Sequence, residues 1–219
     1  IYICVYITQM NIIQYTEQRK NIPVTGNFIN AQFDNSSILV YQAFRKSIAD
    51  FALKEQFFGG PDYKFTRMSW IKPSFLWMMY RSGWAQKEGQ EKILGIWISR
   101  HFFDKILACA VHSTFSNDYY QDENQWRNAL SASEIRLQWD PDHDPYGTPI
   151  LRKTIQLGLK GELLKEFATK AILKIEDVTD FATEQFKHVD QKELNNLKVP
   201  YETLYYPQDL SINRKIGLN

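Results

Sequence analysis

The sequence predicts an α+β fold: one compact domain with a mixed or antiparallel central sheet and flanking helices. Three observations carry this expectation. Stretches that alternate apolar and polar residues, the mark of half-buried strands, stand beside stretches with apolar residues three and four apart, the mark of helices. The two kinds follow one another irregularly, which disfavours a doubly wound sheet. The chain has 219 residues, 44% of them apolar and 23% charged, enough to bury one substantial core. Residues 27–219 are the expected domain, and residues 1–26 read as a poorly defined extension.

The opening apolar run, Ile1 to Ile7, is too short to span a bilayer and lacks the basic leader and small-residue cleavage site of a signal peptide. No other stretch nears ~18 consecutive apolar residues, so no membrane partner is expected. Residues 8–36 are polar and turn-rich, and 37–44 (SILVYQAF) read as a strand. In 45–57, Ile48, Phe51, Ala52 and Glu55 recur at helical spacing, and Gly59-Gly60-Pro61 stops the helix. Residues 62–71 read as extended. Pro73 suits the first position of a helix closed by Gly83. There Phe75, Leu76, Trp77, Met78, Met79 and Tyr80 leave no solvent face, which predicts burial and sets Arg81 in a water-poor place where it needs an anionic partner.

Residues 91–99 (EKILGIWIS) are almost continuously apolar, the pattern of a central strand covered on both faces. In 100–115, Phe103, Ile106, Leu107, Ala110 and Val111 predict an amphipathic helix that carries Cys109 as a core thiol. Cys4 and Cys109 stand in no metal-ligand spacing and fit a reduced, intracellular compartment, with a cytoplasmic location expected. Residues 116–133 read as a polar connection. Beyond it Ile135, Leu137 and Trp139 alternate with Glu134, Arg136, Gln138 and Asp140, and Ile155, Leu157 and Leu159 alternate with Arg152, Thr154 and Gln156. Pairing the two as a hairpin sets one polar row beside the other. A helix at 161–172, an extended segment entering a helix at 183–189, and an edge strand within 199–207 complete the chain.

Three constellations carry candidate chemistry. Asp140, Asp142, His143 and Asp144 offer oxygen and imidazole ligands for a divalent cation, which makes metal-assisted hydrolysis one alternative. The same residues also suit a self-capped turn, or a turn that presents Asp140 and Gln138 from a strand end. No structural metal is expected. Trp70, Trp77 and Trp84 recur every seven residues with Arg67, Lys72 and Arg81 interleaved. Seven residues are about two helical turns, so Trp77 and Trp84 can share a face. Arginine and tryptophan together can hold a planar anion such as a nucleotide, whereas a buried Trp-rich helix with an internally paired Arg81 is the alternative. Tyr41 can point into a cleft with Arg45 at its strand's end, or be a core tyrosine beside a surface arginine. His101, His112 and His188 fall in helical stretches as ordinary, partly exposed residues. The net charge of +1 gives no global attraction to nucleic acid, and no glycine-rich phosphate loop is present.

Three blocks, VYQAFRKSIADFA, RMSWIKPSFLWMMYRSGWA and LQWDPDHDP…IQLGLKGE, resemble in this order the family known as domain of unknown function 4291, over roughly residues 30–210. That family name implies no reaction. More distantly, a strand-end Tyr/Arg motif, a serine on a middle strand and a late strand bearing Gln-x-acid resemble the ADP-ribosyltransferase fold. The matching positions are Arg45 or Tyr41, Ser69, and Gln138 with Asp140. Where that superfamily usually carries a glutamate, this chain carries Asp140, one methylene shorter.

This resemblance implies an NAD-using ADP-ribosyltransferase-like enzyme acting on an acceptor such as a nucleotide or nucleic acid. Arg67, Lys72 and Arg81 would grip the pyrophosphate, and a tryptophan or tyrosine would stack on a base. Trp77, Trp84 and His143 are further ligand-binding candidates. Asp140 would stabilise positive charge on the ribose as nicotinamide leaves, Gln138 would orient the acceptor, and Ser69 completes the catalytic set. A non-catalytic nucleotide- or RNA-binding module built on Trp70, Trp77 and Arg81 is the remaining alternative.

Overall fold

The computed structural model of the protein describes residues 9–219; Cys4 and the apolar run Ile1–Ile7 lie outside them. In chain order the elements are β1 (Ile12–Gln14), α1 (Tyr15–Gln18), β2 (Gly26–Asn27), β3 (Asn30–Ala31), β4 (Ser37–Phe44), α2 (Lys46–Glu55), β5 (Ser69–Ile71) and α3 (Phe75–Ser82). Then come β6 (Lys92–Ser99), α4 (Arg100–Cys109), β7 (Ala110–His112), α5 (Glu123–Ala132), β8 (Ile135–His143) and β9 (Pro149–Leu159). The chain closes with α6 (Gly161–Glu166), a π-helical turn (Phe167–Ala171), β10 (Ile172–Asp177), α7 (Thr179–Asp190), β11 (Lys198–Pro200), β12 (Thr203–Leu204) and α8 (Leu210–Ile216).

The apolar stretches of β4 and β6 form, with β10, an antiparallel sheet in the order β10-β6-β4. As the continuous apolar pattern predicted, β6 is its central strand, buried on both sides. Ile96 and Ile98 join the larger core with Ile38 and Val40, while Ile93 and Trp97 join a second core with Leu39, Tyr41, α3 and α7.

The second sheet grows around β9. One edge of β9 pairs antiparallel with β8 along its length, and β7 lies parallel beyond β8. The other edge is shared by β2 at the start and β5 at the end. The hairpin expected from alternation is present in register, with Gln138 opposite Gln156 and Asp140 opposite Thr154. Ile135, Leu137, Ile155, Leu157 and Leu159 face the larger core, against α4 and the first sheet. Two short ladders, β1-β11 and β12-β3, tie the chain ends to the body, and Gln18 is buried against the backbone of Glu202 at 2.6 Å. These parts make one compact α+β domain.

The structure departs from expectation in several places. The helix read as far as Phe115 stops at Cys109, because Ala110–His112 turn into a strand paired with β8. On α4 the core side is Phe102, Phe103, Ile106 and Leu107, whereas His101, Lys105, Ala108 and Cys109 face solvent, so Cys109 is an exposed thiol. His112 is a buried strand residue rather than a helical one, bonded to Tyr120 Oη and the Ile216 carbonyl at 3.2 Å each. The polar connection 116–133 contains α5, started by the Asp122 side chain, which accepts from the Gln125 amide. None of its residues is buried, so no apolar stripe announces it. Pro73 and Ser74 precede α3 rather than begin it.

Candidate functional site

The site is built where the two sheets meet. The backbone of β5 pairs with β9, and one residue later the Lys72 amide and carbonyl exchange bonds with Tyr41 of β4, at 3.2 and 2.7 Å. Four consecutive residues thus bridge both sheets. Beside this bridge opens a cavity of about 510 Å³, lined by β4, β5, α3 and the β8-β9 hairpin.

Its polar wall comes from the paired strands. Asp140 accepts from the Gln138 amide at 2.9 Å and from the Gln156 amide at 2.6 Å, one on each carboxylate oxygen. An ionised carboxylate only accepts, so it orients both side chains with nitrogen toward Asp140 and leaves their carbonyl oxygens for other partners. Partial burial raises the Asp140 pKa, against the opposing pull of the two amides and of Lys72. Gln42 of β4 also lines the cavity: its amide nitrogen donates to Ser69 Oγ at 2.8 Å and to the Trp70 carbonyl at 3.0 Å, while its buried oxygen has no partner among the described residues.

The lining also carries cationic and aromatic side chains, Arg67, Trp70, Lys72 and Arg81. Trp70 lies across the backbone of Gly158, its cross-strand partner, where an added Cβ would come within 2.9 Å of the indole. Lys72 is only 5% exposed and forms no ion pair among the described residues; its ammonium sits 5.2 Å from the Trp77 ring centre. Burial first, and the Arg81 guanidinium second, bring its pKa down to about 8, while Asp140 pulls the other way. Arg81 itself is exposed, and among the described residues its guanidinium reaches only Gln90, at 3.3 Å. The expectation of a water-poor Arg81 fails because α3 does have a solvent side, occupied by Tyr80 and Arg81. A second cavity of about 220 Å³ adjoins the first, sharing Phe44, Arg67, Met68 and Ser69 and adding Asp62, Tyr63 and Lys64.

Of the residues singled out from sequence, Arg67, Ser69, Trp70, Lys72, Arg81 and Gln138 come together here, with Asp140 directly behind Gln138. Others do not. Tyr41 is wholly buried in the second core, edge-on to Phe75, and burial holds its phenol well above the ordinary range. Arg45 immediately precedes α2 and pairs with Asp62 at 3.0 Å. Trp77 is buried on α3, but Trp84 follows the helix end with a left-handed φ of 56°, so the two share no helical face. Trp84 donates to the Pro145 carbonyl instead. His143 is stacked on Tyr80 with centroids 3.6 Å apart, and burial lowers its pKa.

The alternative metal reading also comes apart. Asp142 pairs with Arg152 at 2.6 Å, Asp144 accepts from the Tyr146 and Thr148 amides, and Asp140 is held by the glutamines. Among the described residues no group of three or more His, Cys, Asp or Glu side chains could hold a metal ion.

Sequence reading missed Gln42, Gln90, Gln156 and Gly158. Gln156 was visible as part of the second polar row; the others carry no local signal, since only pairing across strands or through a turn gives them a role.

Among the described residues no helix is long and apolar enough to cross a membrane. No curated protein matches the chain. The family model described as domain of unknown function (DUF4291) matches residues 28–205, so the chain belongs to the DUF4291 family.

Proposed function

We propose that the cleft binds a pyrophosphate-bearing nucleotide and that the protein is an NAD-using ADP-ribosyltransferase-like enzyme. The observation that carries this reading is that one cavity is lined both by Arg67, Lys72, Arg81 and Trp70 and by the Asp140-oriented glutamines Gln138 and Gln156. The cations suit a diphosphate, and the indole of Trp70 suits a base or the nicotinamide ring. The free carbonyl oxygens of Gln138 and Gln156 suit ribose hydroxyls, which need acceptors. Asp140 lies behind them, so its charge favours an oxocarbenium-like transition state at one remove, and it acts as a positioning residue for the glutamines. The volume falls within the ~300–1,000 Å³ common for small-molecule sites, and the adjoining cavity gives an acceptor room beside the ribose.

Incubation of the purified protein with NAD and chromatography of the products tests this directly. Released nicotinamide is expected, with turnover reduced at least tenfold in Gln138→Ala and Asp140→Ala, since a lost interaction of about 1.4 kcal/mol is a factor of ten. Binding of NAD without nicotinamide release across a range of acceptors would favour the non-catalytic nucleotide-binding reading. Neither binding nor release would remove both.

A further inference from the structure

Lys72 is the one group in the cleft that the nucleotide reading underuses. An ammonium is a strongly hydrated point charge, and burying it without an anion is costly. Here it is buried at 5% exposure, lines the large cavity, and has an aromatic ring rather than a carboxylate for its neighbour. The acid within electrostatic reach, Asp140, has both oxygens occupied by glutamine amides. A diphosphate clamp alone could be built from arginines. A desolvated lysine beside a second cation is instead the arrangement that frees an amine for attack.

We propose that Lys72 is a nucleophilic amine that captures phosphorylated aldehydes or ketones in this cleft as an imine. Arg67 and Arg81 hold the phosphate. The neutral Nζ adds to the carbonyl carbon, the C=O π pair moves to oxygen, and a proton passes from nitrogen to that oxygen to give a carbinolamine. Loss of water then leaves the C=N bond, with no oxidant or reductant consumed. Ring-opened sugar phosphates belong to this class, so the chemistry suits a ribosyl ligand but does not require NAD. The charged groups acting on the amine are Arg81 from α3 and Asp140 from β8; Arg67, ahead of β5, lines the same cavity, and His143 stands edge-on to the Trp77 ring.

Pyridoxal 5′-phosphate followed by borohydride, with peptide mapping of the full chain, reads the outcome. The expected result is labelling concentrated on Lys72, with a rate that is half-maximal near pH 8, in line with a lysine pKa brought down to about 8. Arg81→Gln should move that midpoint upward, because it removes a neighbouring cation. Arg67→Gln should raise the half-saturating concentration about tenfold by removing a charge-assisted phosphate contact. Labelling confined to exposed lysines such as Lys54 and Lys165, or a Lys72 midpoint near the ordinary ~10.4, would overturn the proposal. Competition by NAD separates the two readings: protection of Lys72 supports both, while undiminished labelling keeps the nucleophile and counts against NAD.

Discussion

At the scale of single residues, the site depends on a few side chains whose environments differ sharply. Asp140 is useful because it is fully engaged: two amides hold it, and it holds them. Gly158 is useful because it is empty, letting the Trp70 indole lie on the strand. Gly158→Val should displace the indole and weaken nucleotide binding by the ~1–3 kcal/mol that one stacked base is worth. A titration with unchanged affinity would show that Trp70 is not the stacking surface. Asp140 and Gln138 were legible in the sequence because they belong to the polar row of an alternating strand, although β8 does not end at Asp140 as expected but stays paired with β9 as far as His143. Gly158 was not, since a glycine in a strand declares its purpose only once the facing residue is known. Arg81 was misjudged for a related reason: the apolar count of α3 hid the solvent-facing position of Tyr80.

At the scale of elements, local signals were reliable where periodicity met burial. The strand at 37–44, the central strand β6 and the β8-β9 hairpin were readable for that reason. Elements held by caps and by distant partners were not, as α5 and α8 illustrate. The start of α6 is such a case. Glu134, just before β8, accepts from the Glu162 and Leu163 amides at 3.0 and 2.9 Å and so serves as a cap supplied from another element. Gly161 beneath it has a φ of 62°, and an added Cβ would run into that carboxylate. Glu134→Ala should cost about 1 kcal/mol, seen as a lower denaturant midpoint with unchanged slope. The two amides hold the Glu134 carboxyl below its ordinary pKa. Its contribution is therefore present above the unfolded pKa and lost as pH falls through the folded one, so the mutant and wild-type midpoints should converge in acid. A constant difference across pH would contradict the capping role.

At the scale of the whole molecule, the chain ends close a buried polar cluster behind α3. Glu202 accepts from the Phe75 amide at 2.6 Å, and its backbone meets Gln18. Nearby, Asp142 and Arg152 form an ion pair with side chains 1% and 12% exposed. Removing one member of such a pair leaves an uncompensated charge, so Arg152→Leu should cost ~3–5 kcal/mol. Glu202 behaves oppositely. Burial, with Asp142 adding to it, raises its pKa well above the ordinary value. A raised carboxyl pKa means that stability is fully present below the unfolded pKa and declines as pH rises toward the folded one. Glu202→Gln, which keeps an acceptor for the Phe75 amide, should therefore raise the melting temperature at mildly alkaline pH and have little effect in acid. A melting temperature lowered at alkaline pH would contradict this. None of this cluster was legible, because it joins residues 18, 75, 142, 152 and 202, which only the closed fold brings together.

The same closure makes the cleft, since β5 and Lys72 bind both sheets and the walls come from segments some seventy residues apart. Calorimetric titration of NAD into the wild-type protein and into Arg67→Gln/Arg81→Gln tests this most directly. Measurable binding that weakens with added salt, and is lost in the double variant, is the predicted result. Equal affinity in both proteins, or no heat of binding in the wild type, would contradict it.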